Sequence, residues 1–350
     1  MRAFTCAHCA SLVFFENSVC VTCGSALGYV RDRAELVVLS PGPDGLRYHG
    51  PDGRILQPCA NLTRAACNWL ATADAVDGLC SCCRLTRTRP ADSDTVGMAE
   101  FARTETAKRR LVFQLDALGL PTTPRAADPE HGLAFDLLSS VARPVITGHD
   151  SGIITIDLAE GDDPHREALR VSLDEPYRTV LGHLRHEIGH WYWDVLIDNS
   201  PSLEPFRQLF GDERADYAQA LSSHYAANAT DWRRDFVSAY ASAHPWEDWA
   251  ETFAHYLHIR DSLQTAASYG VSVNGPALPT HGAVPLDADP TQAANTDFDE
   301  LVRTWLPLTF ALNAVNRSMG KDDLYPFVLT PRVLDKLRFV HDRIVPWART

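Results

Sequence analysis

The sequence predicts an α+β chain in which a small β-rich module precedes a larger, mostly helical domain with a short sheet. Three observations predict this class. All nine cysteines lie before residue 84 of the 350-residue chain. Short apolar runs broken by proline and glycine turns extend to Gln57, and apolar residues recur at three- to four-residue spacing from about residue 100 onward. We place the first module at residues 1–90 and the second domain at residues 91–350.

Composition and charge narrow the class of protein. The chain is 45% hydrophobic and 22% charged, with a formal net charge of -13. An acidic surface argues against binding nucleic acid or an anionic membrane over the whole molecule, because such binding needs a cationic footprint. The sequence has neither a long apolar run that could span a membrane nor the apolar core of a secretory signal. We therefore expect a cytoplasmic protein, and the sequence favours no oligomeric state.

The first cysteine cluster has the spacing of a structural zinc site. Cys6 and Cys9 form one Cys-x-x-Cys pair, and ten residues later Cys20 and Cys23 form a second. Each pair can turn two sulfurs inward, and two pairs complete a closed tetrahedral shell. In a chain without an export signal, metal binding explains such spacing better than disulfides do.

A second cluster is more widely spaced. The best tetrad is Cys59, Cys67, Cys80 and Cys83, which leaves Cys82 free, although Cys82 could replace either neighbour. These residues predict a second structural zinc site. The alternative is a set of buried free thiols, because free cysteine is among the most buried residue types.

Local patterns predict the elements that follow the first cysteine cluster. From Leu36 to Gln57, apolar runs alternate with Pro-Gly and Asp-Gly turns, as in short strands. The polar stretch Arg87 to Asp94 is the expected linker. Glu100 to Leu118 has helical periodicity, and we expect its Lys108-Arg109-Arg110 run on a solvated face. Val145 to Asp157 has the pattern of a strand, a turn and a strand.

The rest of the second domain is predicted to be helical. Pro176 is expected early in a helix whose apolar residues run from Val180 to Val195. Two C-terminal helices, around Leu301 to Asn316 and Pro331 to Val345, are expected to complete the core. The intervening stretch His281 to Pro290 is rich in acids and turn formers, and it is interpreted as a lid or a plain loop.

The predicted helix contains an H-E-x-x-H motif that favours catalytic zinc. His186 and His190 are four residues apart and so project from one helical face. Zinc catalysis also needs a third protein ligand and an open position where water is polarised. Glu187 would act as general base. Tyr240 and His149 are candidate oxyanion stabilisers, and the alternative to the whole motif is a solvated His/Glu face.

The third zinc ligand is sought in a downstream helix, from His244 to His258. Glu247, Glu251 and His255 lie at i, i+4 and i+8 on one face, so any of them could reach the metal. We choose Glu251 because it is central and because two histidines plus a glutamate form an established catalytic zinc set. His255 as ligand, with Glu251 as its hydrogen-bond partner, remains an alternative, as does Glu247.

Several longer strings accompany the paired cysteines: Cys67-Asn68-Trp69-Leu70, Cys83-Arg84-Leu85-Thr86, Ala107-Lys108-Arg109-Arg110-Leu111, Thr147-Gly148-His149-Asp150, Tyr177-Arg178-Thr179, Leu181-Gly182-His183, Arg185-His186-Glu187 and His244-Pro245-Trp246-Glu247-Asp248-Trp249-Ala250-Glu251. Over nearly the whole chain, they resemble a bacterial family of zinc-binding metallopeptidases with an N-terminal zinc ribbon. The resemblance implies a zincin-like domain of gluzincin type. Analogy with thermolysin-like enzymes, in which a downstream helix supplies a glutamate, supports the ligand set.

These patterns predict a zinc peptidase that acts on a protein or peptide, with one catalytic zinc and one or two structural zinc ions. Glu187 is the predicted base. One alternative is a zinc-ribbon scaffold or nucleic-acid-associated protein with a non-proteolytic metal site. Residues 1–29 hold one arginine and no lysine, and this low basic charge argues against nucleic-acid binding. Another is a small-amide zinc hydrolase. An edge strand at Ile153 to Ile156 would favour the peptide substrate by strand addition.

Overall fold

The computed structural model describes residues 2–141, 144–161, 179–226, 232–274 and 297–347. Packing divides the described residues into two compact units. The first holds residues up to 116 and 121–161, and the second holds 117–120 and the residues from 179 onward. The α+β class is confirmed, with small sheets followed by helices. The first unit extends past residue 90, and our boundary between residues 90 and 91 stays a prediction about independently folding domains.

The N-terminal part of the first unit consists of short antiparallel strands. They are β1 (Phe4–Thr5), β2 (Leu12–Val13), β3 (Leu27–Val30), β4 (Glu35–Val38), β5 (Ser40–Gly42), β6 (Gly45–His49), β7 (Ile55–Pro58) and β8 (Leu70–Thr72). Strands β1 and β2 pair, β3 pairs with β4, and β5 to β8 form a four-stranded sheet in chain order. The predicted strands between Leu36 and Gln57 are thus confirmed. Buried rings of Phe15, Tyr29 and Trp69 pack together beneath them.

A second four-stranded sheet in this unit is mixed. Its strands are β9 (Thr86–Thr88), β10 (Ala134–Leu138), β11 (Gly148–Asp150) and β12 (Ile153–Asp157), in the order β11-β12-β10-β9. Strand β10 runs parallel to β9 and β12, and β11 with β12 forms the predicted hairpin. Two predictions are wrong here. The stretch from Arg87 begins within a paired strand and not in a linker, and Ile153 to Ile156 is an interior strand that has no free edge for a peptide.

Helix α1 (Thr95–Ala117) covers the predicted helical segment but not with the predicted orientation. Lys108 is fully buried and Arg109 is 1% exposed, so the expectation of a solvated face is wrong for both residues. Lys108 Nζ lies 2.6 Å from Glu105 Oε1, and Arg109 donates to the Ala65 and Ala66 carbonyls at 3.0 and 3.1 Å. A buried cation requires such partners, because leaving it unpaired in the interior is costly.

The second unit is helical where it is described. Its helices are α2 (Val180–Leu196), α3 (Leu203–Phe210), α4 (Tyr217–Ala226), α5 (Pro245–Ser268), α6 (Phe298–Ser318) and α7 (Pro331–Ile344). The motif helix, the downstream helix and both C-terminal helices are therefore confirmed. Pro176, the adjacent Tyr177 and Arg178, and His281 to Pro290 lie outside the described residues. Within the described part of the chain, no helix is long and apolar enough to cross a membrane.

Helices α2 and α5 pack so closely that their backbones touch. A Cβ atom on Gly189 would lie 3.1 Å from Ala250 Cα and 3.2 Å from Ala250 O. The indole N–H of Trp249 donates to the Gly189 carbonyl at 2.8 Å. Glycine at this position, which is unfavourable within a helix, is explained by the neighbouring helix. The close contact brings the H-E-x-x-H residues next to the carboxylates of α5.

Candidate metal centres

Three groups of side chains in the described residues bring possible metal-ligand atoms within 4.8 Å of one another. Two are groups of four cysteines in the first unit, and the third combines two histidines with a glutamate in the second unit. The groups are Cys6, Cys9, Cys20 and Cys23; Cys59, Cys67, Cys80 and Cys83; and His186, His190 and Glu247. The structure therefore brings together both predicted cysteine tetrads and the two motif histidines.

The third group is formed where α2 and α5 cross. His186 and His190 direct their Nε2 atoms toward each other at 3.2 Å. Glu247 Oε2 lies 3.0 Å from His186 Nε2 and 3.6 Å from His190 Nε2. With zinc–ligand bonds near 2.0–2.1 Å, the edge of a tetrahedron is about 3.3 Å, so these separations fit one zinc ion.

The chemistry of the three atoms also fits a cation. Glu247 Oε2 is buried, and among the described residues it accepts no hydrogen bond. A buried carboxylate oxygen without a hydrogen bond is costly unless a positive charge compensates it. An N₂O set on helical elements, with Glu187 next in sequence to His186, has the donor types of a catalytic zinc site.

Glu251 occupies a different place from the one we predicted. Its Oε1 lies 2.7 Å from His186 Nδ1, and an ionised carboxylate can only accept, so Nδ1 carries a hydrogen and Nε2 is the nitrogen that could bind a metal. Its second oxygen accepts from Ser238 Oγ at 2.6 Å. Glu251 is one turn beyond Glu247 along α5 and so reaches the opposite side of the imidazole. The structure therefore groups Glu247, and not our choice Glu251, with the Nε2 atoms of the two histidines.

His255, the other alternative, lies a further turn away from the ligand atoms. Its Nδ1 is 2.8 Å from the Tyr325 hydroxyl, and its ring packs edge-on against Phe327. Burial lowers the pKa of His255 to about 4 despite the nearby charge of Glu251. A neutral, buried histidine in a tyrosine hydrogen bond is a packing residue here.

The electrostatics of the group favour ionised carboxylates. Burial opposes ionisation of Glu247, but the proximity of His186 and His190 outweighs it and holds the pKa of Glu247 well below its usual range. Burial likewise opposes ionisation of Glu251, and His186 brings its pKa down to about 2. The two carboxylates in turn raise the pKa of His186 well above its usual value against the effect of burial. The two negative charges favour binding of a cation at this site.

Glu187 and two tyrosines complete the surroundings. Glu187 is buried on α2. The Tyr217 hydroxyl donates to Glu247 Oε1 at 2.6 Å, and burial together with the charges of Glu247 and Glu187 raises the pKa of Tyr217. The Tyr240 ring lies 5.8 Å from the ring of His186. His149, the other oxyanion candidate, belongs to the first unit, where its Nε2 accepts from the Gly152 N–H at 3.0 Å.

The first cysteine tetrad is built from two similar turns. Cys6 N–H donates to Ser11 O and Cys20 N–H donates to Ser25 O, both at 2.9 Å. The sulfurs of Cys6 and Cys23, and those of Cys9 and Cys20, lie 3.7 Å apart. A tetrahedral zinc site with 2.3 Å bonds has edges of about 3.8 Å, whereas a disulfide would need about 2.05 Å. The separations therefore fit a zinc ribbon.

The second tetrad has the same separations in a buried setting. The sulfur of Cys67 lies 3.7 Å from that of Cys80 and 3.6 Å from that of Cys83. Cys59 Sγ accepts from the Cys80 N–H at 3.3 Å, and all four cysteines are buried. Cys82 stays outside the group, as predicted, and burial raises the pKa of its thiol to about 12.

The comparisons with known proteins agree with this geometry. A family model described as "Putative zinc-binding metallo-peptidase" matches residues 97–343, and a model of a zinc-ribbon domain matches residues 3–94. The chain belongs to this metallopeptidase family. It is similar to uncharacterized proteins from Mycobacterium bovis and from two strains of Mycobacterium tuberculosis, each 52% identical over 351 residues that cover 99% of this chain and 97% of the relative. No solved structure matches the chain.

Two residues that hydrogen-bond to the carboxylates of α5 were not predicted from the sequence. Ser238 donates to Glu251, 13 residues later in the chain, and Tyr217 donates to Glu247, 30 residues later. Neither lies in a motif, and both contacts depend on how loops return to α5. The sequence signal that could have found Tyr217 is its place directly after the acidic residues Asp212, Glu213 and Asp216.

Proposed function

We propose that this metallopeptidase family member is a zinc-dependent peptidase that holds its catalytic zinc through His186, His190 and Glu247 and uses Glu187 as general base. The observation that carries the proposal is the meeting of two imidazole Nε2 atoms and one buried carboxylate oxygen at zinc-like separations. The family match supports zinc and peptidase chemistry in general. The ligand set and the base are the proposal.

When bound, zinc supplies Lewis-acid activation of water and of the scissile carbonyl group. Glu187 follows His186 on α2, and its side chain is buried. Its carboxylate takes a proton from the attacking water and passes it to the amine nitrogen as the C–N bond breaks. The products are a carboxylic acid and an amine, and Glu187 returns to its ionised form.

The residues behind the ligands hold the imidazole of His186 in its productive tautomer. Glu251 accepts from His186 Nδ1, and Ser238 in turn donates to Glu251. Ser238 is itself fixed, because its Oγ accepts from the Ala241 N–H at 3.1 Å. A carboxylate behind a ligand histidine raises the basicity of the ligand and fixes its ring.

We further propose that each cysteine tetrad holds one structural zinc ion, which gives three zinc ions per chain with the catalytic one. Four cysteines close the coordination shell and leave no position for a substrate, so neither tetrad can hydrolyse a bond. The substrate is proposed to be a protein or peptide, and the site of action the cytoplasm.

The test is zinc content together with peptide-library cleavage for the native chain and for Glu187→Gln. We expect about three zinc ions in both proteins, and a loss of cleavage of about 10²–10⁴-fold in the variant, because the amide keeps the shape but cannot accept the proton. Glu204→Gln, an exposed glutamate on α3, is the matched control and should cleave normally. Equal cleavage by Glu187→Gln would show that Glu187 is not the base. Zinc without cleavage in any of the proteins would favour the scaffold function.

A further inference from the structure

We infer that Tyr217 is a positioning residue that fixes the rotation of Glu247, so that one carboxylate oxygen faces the two histidines. This inference rests on the proposed function. Glu247 has two distinct oxygens in the structure. Oε1 accepts from the Tyr217 hydroxyl at 2.6 Å, whereas Oε2 faces the Nε2 atoms of His186 and His190. The tyrosine thus decides which oxygen remains for the metal.

The restraint matters because the Tyr217 hydroxyl donates to Oε1 of a buried carboxylate. Glu247 is 1% exposed, so bulk water cannot solvate Oε1 if the tyrosine hydroxyl is removed. A carboxylate with one tethered oxygen has a defined plane, and an untethered one can rotate about its terminal bond. Partners of metal-bound carboxylates act in this way, and removing them commonly costs about 10–100-fold in metal affinity or activity.

The fold anchors Tyr217 to the same residue that begins the ligand helix. His244 is the N-cap of α5, and its Nδ1 accepts from the Trp246 N–H at 3.1 Å. Its Nε2 therefore carries the hydrogen and donates to Ala215 O at 3.1 Å, two residues before Tyr217. The rings of His244 and Tyr217 also meet edge-on at 5.2 Å. His244 thus helps to position both Glu247, through the start of α5, and Tyr217, through Ala215.

The experiment compares Tyr217→Phe with the native full-length chain by titration with a zinc chelator. The catalytic zinc is defined as the ion that the native chain holds and His186→Ala lacks. We expect Tyr217→Phe to release this ion at about tenfold lower chelator concentration while the cysteine-bound zinc is released as in the native chain. Tyr269→Phe removes a hydroxyl at the C-terminal end of the same ligand helix and should match the native titration.

The outcomes separate this inference from the proposed function. A native chain that holds no His186-dependent zinc would overturn the proposed function. A His186-dependent zinc that Tyr217→Phe binds as tightly as the native chain, or more tightly, would overturn only the role of Tyr217, as would an equal loss in Tyr269→Phe. If Tyr217→Phe does not fold, His244→Asn provides the test, because asparagine keeps the N-cap of α5 but loses the imidazole that donates to Ala215 O. This variant should weaken the same ion by a smaller factor, and an unchanged affinity would overturn the role of Tyr217.

Discussion

The two cysteine tetrads have the same four ligands and nearly the same sulfur separations, yet their surroundings differ. In the first tetrad Cys23 is exposed and Cys9 half-buried, and hydrogen bonds from Ser25 lower the pKa of Cys23 to about 6. In the second all four sulfurs are buried against α1. The first site lies among the local turns of residues 6–23, whereas the second, within residues 59–83, also contacts α1 through Cys83 and Glu105. Identical ligands therefore need not make equal contributions to stability.

Charge is the second difference. Four thiolates around one Zn²⁺ carry a net charge of minus two, and a buried site must balance it. At the second tetrad the charges of Cys67 and Cys83 act on Arg109, and that of Cys83 acts on Lys108. Arg109 Nη1 is buried and, within the described residues, has no hydrogen-bond partner. The buried cations of α1 are therefore explained by the cysteine cluster as well as by Glu105.

The largest expected effect is a difference in the stability of the first unit between variants of the two tetrads. Cys80→Ser should unfold the first unit, because binding of a structural zinc is worth on the order of 10 kcal/mol and the whole stability of a domain is only about 5–15 kcal/mol. Cys20→Ser should lose its own zinc but leave most of the unit folded. Thermal unfolding followed by circular dichroism, with zinc counted per chain, tests this difference. Equal unfolding in both variants would remove the distinction between the two sites.

A smaller effect tests the buried charges of α1. Lys108→Met should lower the free energy of unfolding by about 3–5 kcal/mol, because it leaves Glu105 buried without its cation. The matched control is Arg110→Met on the same helix. Arg110 Nε lies 2.6 Å from Glu16 Oε1, and both side chains are partly exposed. Screening by solvent should limit that loss to about 0–1 kcal/mol. Denaturant titration of both variants measures the difference, and similar losses would show that burial of Lys108 contributes little.

The smallest expected effect is a difference in how readily the cysteines of the two tetrads are oxidised. Mild peroxide should modify Cys9 and Cys23 before Cys59, Cys67 and Cys80, because oxidation depends on thiolate character and exposure. Peptide mass spectrometry with a zinc-sensitive dye would then show one zinc released early from each chain. Early oxidation at the second tetrad would mean that its burial does not protect it.

The sequence predicted what short-range spacing determines. The cysteine pairs, the H-E-x-x-H face and the helix beginning at Pro245 depend on contacts within a few residues, and the structure reproduces them. Choosing between Glu247 and Glu251 was a different problem. Both lie on one face of α5 and differ by about one helical turn, 5.4 Å along the axis. That choice depends on how far α5 is shifted along α2, which no local pattern encodes.

The remaining errors have the same origin. Lys108 and Arg109 were assigned to the surface because charged residues are rarely buried without partners. Glu105, three residues earlier, was visible in the sequence, but the cysteine cluster that helps to bury the pair comes from another part of the chain. The position of β12 inside its sheet likewise follows from the strand order and not from the composition of Ile153 to Ile156.

The contact at Gly189 also determines the size of ion that the third group accommodates. The backbones of α2 and α5 cannot come closer, because a Cβ at Gly189 would already be 3.1 Å from Ala250. They are kept from separating by the Trp249 hydrogen bond to the Gly189 carbonyl. The ligand atoms are thus held at 3.0 to 3.6 Å by main-chain packing. Calcium, with bonds of about 2.3–2.6 Å and six to eight oxygen ligands, would need a wider cage. We therefore expect the proposed site to favour a small ion, because two helices in contact set the spacing of its ligand atoms.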